Sequence, residues 1–74
     1  MNTKPYVGQR VKLNREAYKD LRLNSPEAYE ESKDMIITEV GDNIGYDHEP
    51  IYVIRVNRPL LDIFLLDASM VDPL

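Results

Sequence analysis

The spacing of apolar residues changes character twice along this chain. In residues 6–13, YVGQRVKL, Val11 and Leu13 flank Lys12, the two-residue period of a strand with one buried face, and the segment is expected to form a first strand. Residues 14–34, NREAYKDLRLNSPEAYEESKD, lose that period and gain good helix formers. Asn14 is placed to cap a turn in which Ala17, Tyr18 and Leu21 share a side. Ser25-Pro26-Glu27 has the chemistry of a second helix start: a hydroxyl cap, Pro at the first helical position, then an acidic residue at the positive end of the dipole. Neither turn is long enough to persist alone in water, so the segment is expected to be one long, partly helical excursion between strands.

Strand chemistry returns at Met35. Residues 35–40, MIITEV, are rich in β formers and run into Gly41-Asp42-Asn43 and Gly45, so a second strand should end near Asn43. Gly8, Gly41 and Gly45 have no phosphate-binding spacing and are expected at turns or bulges. After the polar loop 46–50, residues 51–57, IYVIRVN, place Tyr52, Ile54 and Val56 on one face and Val53 and Arg55 on the other, with Tyr52 expected in the core. Arg58-Pro59 predicts a tight connection from which residues 60–66, LLDIFLL, return as a hairpin partner. In the ending, residues 67–70 suit a single 3-10 turn capped by the Asp67 carboxylate, with Val71 opening a short last strand.

That order of strand, excursion, strand, loop, strand, tight hairpin, strand, single turn and terminal strand resembles the SH3-like small barrel. The resemblance implies a mainly β fold: a five-stranded small barrel with a long, partly helical first loop and a 3-10 turn before the last strand, which closes the sheet and removes an exposed edge. Residues 1–74 would then be a single SH3-like domain. Peptide-binding SH3 domains carry an ALYDY-like motif and a Trp pair, whereas this chain has neither and no Trp. The nucleic-acid-associated KOW branch places a Gly ahead of its second strand, where Lys33-Asp34-Met35 stands here. The likeness is therefore to the small SH3-like accessory proteins of bacteria and their phages.

Composition narrows the setting. The chain has 74 residues and no cysteine, so one modest core must hold it without disulfides or a thiolate zinc site. No apolar run approaches the roughly 20 residues of a membrane span, and no signal-like stretch opens it. A soluble, cytoplasmic protein is expected. The net charge is −4, but it is unevenly spread. Residues 1–24 carry six basic and two acidic residues, residues 25–74 three basic and eleven acidic ones. Such asymmetry either marks an interaction surface or draws the two halves together in the fold.

No nucleophile with a base, carboxylate pair or metal-ligand set stands out, so neither catalysis nor a cofactor or metal is expected. His48, alone between Asp47 and Glu49, reads as a solvated loop residue. Tyr18, Tyr29 and Tyr46 fall where small barrels present a groove between their long loops, and they are the candidates for contact with a protein partner. Packing over the barrel to anchor the helical turns is the structural alternative for Tyr18 and Tyr29. The leading expectation is a non-catalytic interaction module or inhibitor. A nucleic-acid binder using Lys12, Arg15, Lys19 and Arg22 comes second, because the acidic remainder repels phosphates unless the charges segregate. A DNA mimic presenting Glu27, Glu30, Glu31 and Asp34 is third, since its carboxylates are sparse. The chain is expected to be a monomer, or a weak homodimer joined through an exposed edge or an uncovered Leu60-Leu61 pair.

Overall fold

The computed structural model describes residues 4–44 and 50–74. Five strands, β1 (Arg10–Leu13), β2 (Met35–Ile44), β3 (Pro50–Val56), β4 (Leu66–Asp67) and β5 (Val71–Pro73), form one antiparallel sheet in the order β4-β3-β2-β1-β5. Helices α1 (Arg15–Leu21) and α2 (Pro26–Ser32) fill the excursion between β1 and β2, a single turn α3 (Pro59–Asp62) follows β3, and a 3-10 turn (Ala68–Met70) joins β4 to β5. The protein is mainly β with a few short helices. No helix among the described residues is long and apolar enough to cross a membrane.

Alternating burial along the strands sets the core. Val11 and Leu13 from β1, Met35 and Ile37 from β2, and Ile54 and Val56 from β3 turn inward and are buried with Leu61, Leu66 and Val71. Their neighbours Lys12, Ile36 and Arg55 face out. A register shift between Ile37 and Glu39 marks a bulge in β2, beyond which Val40 is only half-buried. Tyr52, expected inside, is also half-buried, with the Lys4 ammonium 5.7 Å from its ring centre. The inward face of β3 is complete only from Ile54 onward.

The caps read from the sequence are in place. Asn14 accepts the Ala17 N–H at 2.8 Å, and Ser25 Oγ accepts that of Ala28 at 3.3 Å with Pro26 at the head of α2. Helix α1 ends on Arg22, whose φ of 53° is left-handed and whose N–H donates to Lys19 O at 3.2 Å. An Arg side chain is strained there. Arg22→Gly should raise stability by about 0.5–1 kcal/mol in a denaturant melt, the relief of that strain less the freedom glycine gives the unfolded chain.

Three expectations need correction. The first strand begins at Arg10 and not at Tyr6, because Gly8 has φ 92° in a turn closed by Gln9 N–H donating to Tyr6 O. Residues 60–66 do not return as a hairpin strand. Pro59 fixes the first helical φ, Asp62 N–H donates to Arg58 O at 2.8 Å, and a helical turn forms, leaving only Leu66 and Asp67 to pair with β3. Nor is the sheet closed into a barrel: β4 and β5 remain its two edges, bridged by the 3-10 turn and not by a ladder.

Asp62 holds the unexpected turn in place. Its carboxylate takes two bonds from Arg55, Nε at 2.9 Å and Nη2 at 2.6 Å, and a third from the Val56 N–H at 3.0 Å. Arg55 first, and the Val56 amide after it, hold the Asp62 carboxyl down at about 2. A depressed carboxylate pKa stabilises the fold above the unfolded value and is lost as pH falls through the folded one, so stability should decline between pH 4 and pH 2. After discount for solvent exposure the loss is about 1–2 kcal/mol. Asp62→Asn should flatten that decline in acid melts; an unchanged slope would contradict the assignment.

Candidate binding cleft

The excursion lies against the end of the sheet where β1 meets β5, and a cleft of about 410 Å³ opens between them. Lys12 and Leu13 of β1, Asn14, Arg15 and Tyr18 at the start of α1, Tyr29, Ser32 and Lys33 at the end of α2, and Asp72 of β5 line it. Asn14 fixes one corner. Besides capping α1, it donates from Nδ2 to Ser69 O at 2.7 Å and from its backbone to Met70 O at 2.9 Å, fastening α1 to the 3-10 turn. The Asp67 carboxylate accepts the Ser69 N–H at 2.8 Å and the Ser69 hydroxyl, holding that turn.

Two aromatic rings form the ridge of the site. Tyr18 and Tyr29 meet edge to face with centres 5.4 Å apart and planes at 77°. Tyr18 packs half-buried against the core, whereas Tyr29 is 43% exposed. Tyr18 thus anchors its helix to the core, and Tyr29 keeps much of its ring open to solvent. Lys33 Nζ sits 4.2 Å from the centre of the Tyr29 ring and 3.3 Å from Glu30 Oε1, the latter contact raising the Lys33 pKa. Buried Ser32 donates its hydroxyl to Tyr29 O at 2.6 Å. On the other side of the ridge, a hollow of about 310 Å³ is lined by the same rings with Asn24, Ser25 and Pro26.

The charge asymmetry is used in part to join the two halves of the chain. Arg10 crosses to Asp34 with Nη2 at 2.8 Å, holding that carboxyl below its usual range, and Arg58 Nε donates to Asp34 O at 2.9 Å. The Arg10–Asp34 pair draws the halves together, and the Arg58 bond fixes Asp34 within its own half. Lys12, Arg15, Lys19 and Arg22 form no ion pair among the described residues, although Lys12 lies in register with Asp72 across β1 and β5. The basic residues of the first third thus divide into Lys4 and Arg10, which make contacts within the fold, and four that form no ion pair among the described residues.

Of the predicted contact residues, the fold brings Tyr18 and Tyr29 together with Lys12 and Arg15 in one cleft. Lys19 and Arg22 lie further along α1 and do not line it. Tyr46 and His48 lie outside the described residues. Sequence reasoning missed Lys33 and Asp72. Lys33 stands four residues after Tyr29, a helical neighbour spacing that could have revealed it, whereas Asp72 joins the site only once β5 pairs with β1. The acidic residues considered for nucleic-acid mimicry are partly engaged: Asp34 with Arg10, Glu30 with Lys33, and Glu27 with the Ser25 hydroxyl at 2.8 Å.

Leu61 is fully buried and Leu60 is 40% exposed, so the Leu60-Leu61 pair is not an open patch. Ile63 and Leu65 beside β4 are the more exposed apolar residues, at 78% and 88%. No group of three His, Cys, Asp or Glu that could hold a metal occurs among the described residues. No protein-family model, curated protein or solved structure matches the chain. The fold and the cleft alone define its class: a small, mainly β protein whose five-stranded antiparallel sheet carries a helical excursion over one end.

Proposed function

We propose that this is an SH3-like interaction protein, of the small accessory type found in bacteria and phages. It acts in the cytoplasm without catalysis, as a monomer or weak homodimer, and engages a protein partner through the cleft. The observation that carries the reading is the convergence of Tyr18, Tyr29, Lys12 and Arg15, drawn from separate elements, on one concave surface. Tyr rings and Arg are groups that anchor protein contacts, the rings because they bury large area at low entropic cost and Arg because its planar fork bonds in defined directions. The strand order and the 3-10 turn before the last strand support the SH3-like reading, with the open sheet as its main departure. Immobilised protein should retain a discrete protein from a lysate of the organism that encodes it, and Tyr29→Ala should lose it. Equal retention by the variant, or none by the wild type, contradicts the proposal.

The unpaired cations favour one other reading, a nucleic-acid binder in which Lys12, Arg15, Lys19 and Arg22 meet phosphates. Such binding weakens steeply with salt. Fluorescence anisotropy with labelled oligo-dT and RNA at low salt tests it, and absence of any change in signal removes it.

A further inference from the structure

We propose that the cleft takes an acidic peptide segment of the partner, with Lys12 and Arg15 receiving a carboxylate and the Tyr18–Tyr29 ridge packing beside the residue that carries it. The proposal rests on the reading of the cleft as the contact surface. Its lining holds Lys12, Arg15 and Lys33 against Asp72, a local positive excess on a chain whose net charge is −4. Lys33 is occupied by Glu30 and the Tyr29 ring, which leaves Lys12 and Arg15 as the cations within the cleft that have no ion pair among the described residues. Arg15 offers a planar fork suited to two bonds with a carboxylate. Local stability does not account for that residue: it opens α1 at the positive end of the helix dipole, where an acidic side chain suits better.

A peptide fits these groups better than a nucleic-acid strand. Single strands bind by stacking successive bases on open aromatic faces along a basic track. Here Lys33 lies over the Tyr29 ring, and half-buried Tyr18 is committed to its edge-to-face contact. One wall of the cleft is α2, which carries Glu27, Glu30 and Glu31, charges that oppose a phosphate chain laid along it. A single carboxylate beside Arg15 avoids them. A volume of about 410 Å³ suits a few side chains.

The test is a titration of the ¹⁵N-labelled chain, at about 0.15 M ionic strength, with short-peptide pools enriched in Asp and Glu, in Lys and Arg, or in uncharged residues, and with oligo-dT in parallel. The acidic pool should move the amides of residues 12–18 and 29–33 saturably. Arg15→Glu should weaken that response about tenfold, the loss expected of a charge-assisted contact, and Lys12→Gln should weaken it less. Arg15→Glu places an acid at the start of a helix and is expected to fold, which its own amide spectrum verifies. If the basic or uncharged pool moves the cleft and the acidic pool does not, the contact surface stands and its acidic specificity is overturned. Should no peptide move it, with or without a response to oligo-dT, both readings fall. Acidic-pool binding unaffected by Arg15→Glu overturns the assignment to this cleft.

Discussion

Removing residues 67–74 is expected to unfold the protein. The deleted segment carries Val71 at 0% exposure and Ala68 at 6%, and its strand pairs Val71, Asp72 and Pro73 with Leu13, Lys12 and Val11. Leu74 N–H adds a bond to Arg10 O at 3.1 Å, and Asn14 loses both of its partners in the 3-10 turn. What remains is β1 as a bare edge with the apolar face of Val11 and Leu13 open beside it. A domain of this length has a total stability of about 4–11 kcal/mol. Burial of Val71 alone accounts for about 1.5–3 kcal/mol before the ladder and the two lost bonds of Asn14 are considered. Circular dichroism and an amide spectrum should find no cooperative melt and collapsed dispersion. A truncated chain that melts cooperatively with native dispersion would contradict the role given to the ending, and with it the support of the cleft at Asn14.

Leu61→Ala is expected to cost about 2–5 kcal/mol, a drop in Tm of at least about 10 °C, because Leu61 is fully buried beneath α3. Leu60→Ala should stay within about 0.5 kcal/mol, its side chain being substantially exposed. The pair separates the helical turn from a hairpin. In an extended strand, Leu60, Asp62, Phe64 and Leu66 would share a face, and truncating Leu60 would open the same core that Leu66 fills. Thermal melts showing Leu60→Ala as the more damaging change would restore the hairpin and displace α3.

How far these features were legible depends on the physics behind each. Caps are local, so Asn14, Ser25 and Asp67 declared α1, α2 and the 3-10 turn through their own side chains. Alternation around Val11 and Ile54 declared the core faces of β1 and β3 for the same reason, whereas residues 35–40 were legible only as strand formers. Residues 60–66 misled because an apolar run broken only by Asp62 has no clear period to separate strand from helix, and the bonds that decide the place of Asp62 came from Arg55 and Val56, in the preceding strand. Closure of the sheet is likewise a tertiary outcome. The strand order and the final turn were legible, whereas the distance between β4 and β5 follows from how far the chain curls.

The cleft was legible as two separate groups, tyrosines and cations, each argued toward a different partner. Only the pairing of β1 with β5 and the packing of α1 beside α2 put Tyr18, Tyr29, Lys12 and Arg15 around one space. That convergence turns two competing readings into one surface. It also removes Lys19 and Arg22 from the site, since the helix carries them away from its mouth.

The most direct test of that surface is photo-crosslinking in cells of the encoding organism, with a benzophenone side chain in place of Tyr29 and a control at exposed Asp42 in β2. A discrete crosslinked protein at position 29, absent at position 42 and lost when Arg15→Glu is added, is the predicted result. Equal yields at the two positions, or a product that nuclease removes, would contradict a protein-binding cleft, and a crosslink that survives Arg15→Glu would contradict its preference for an acidic partner.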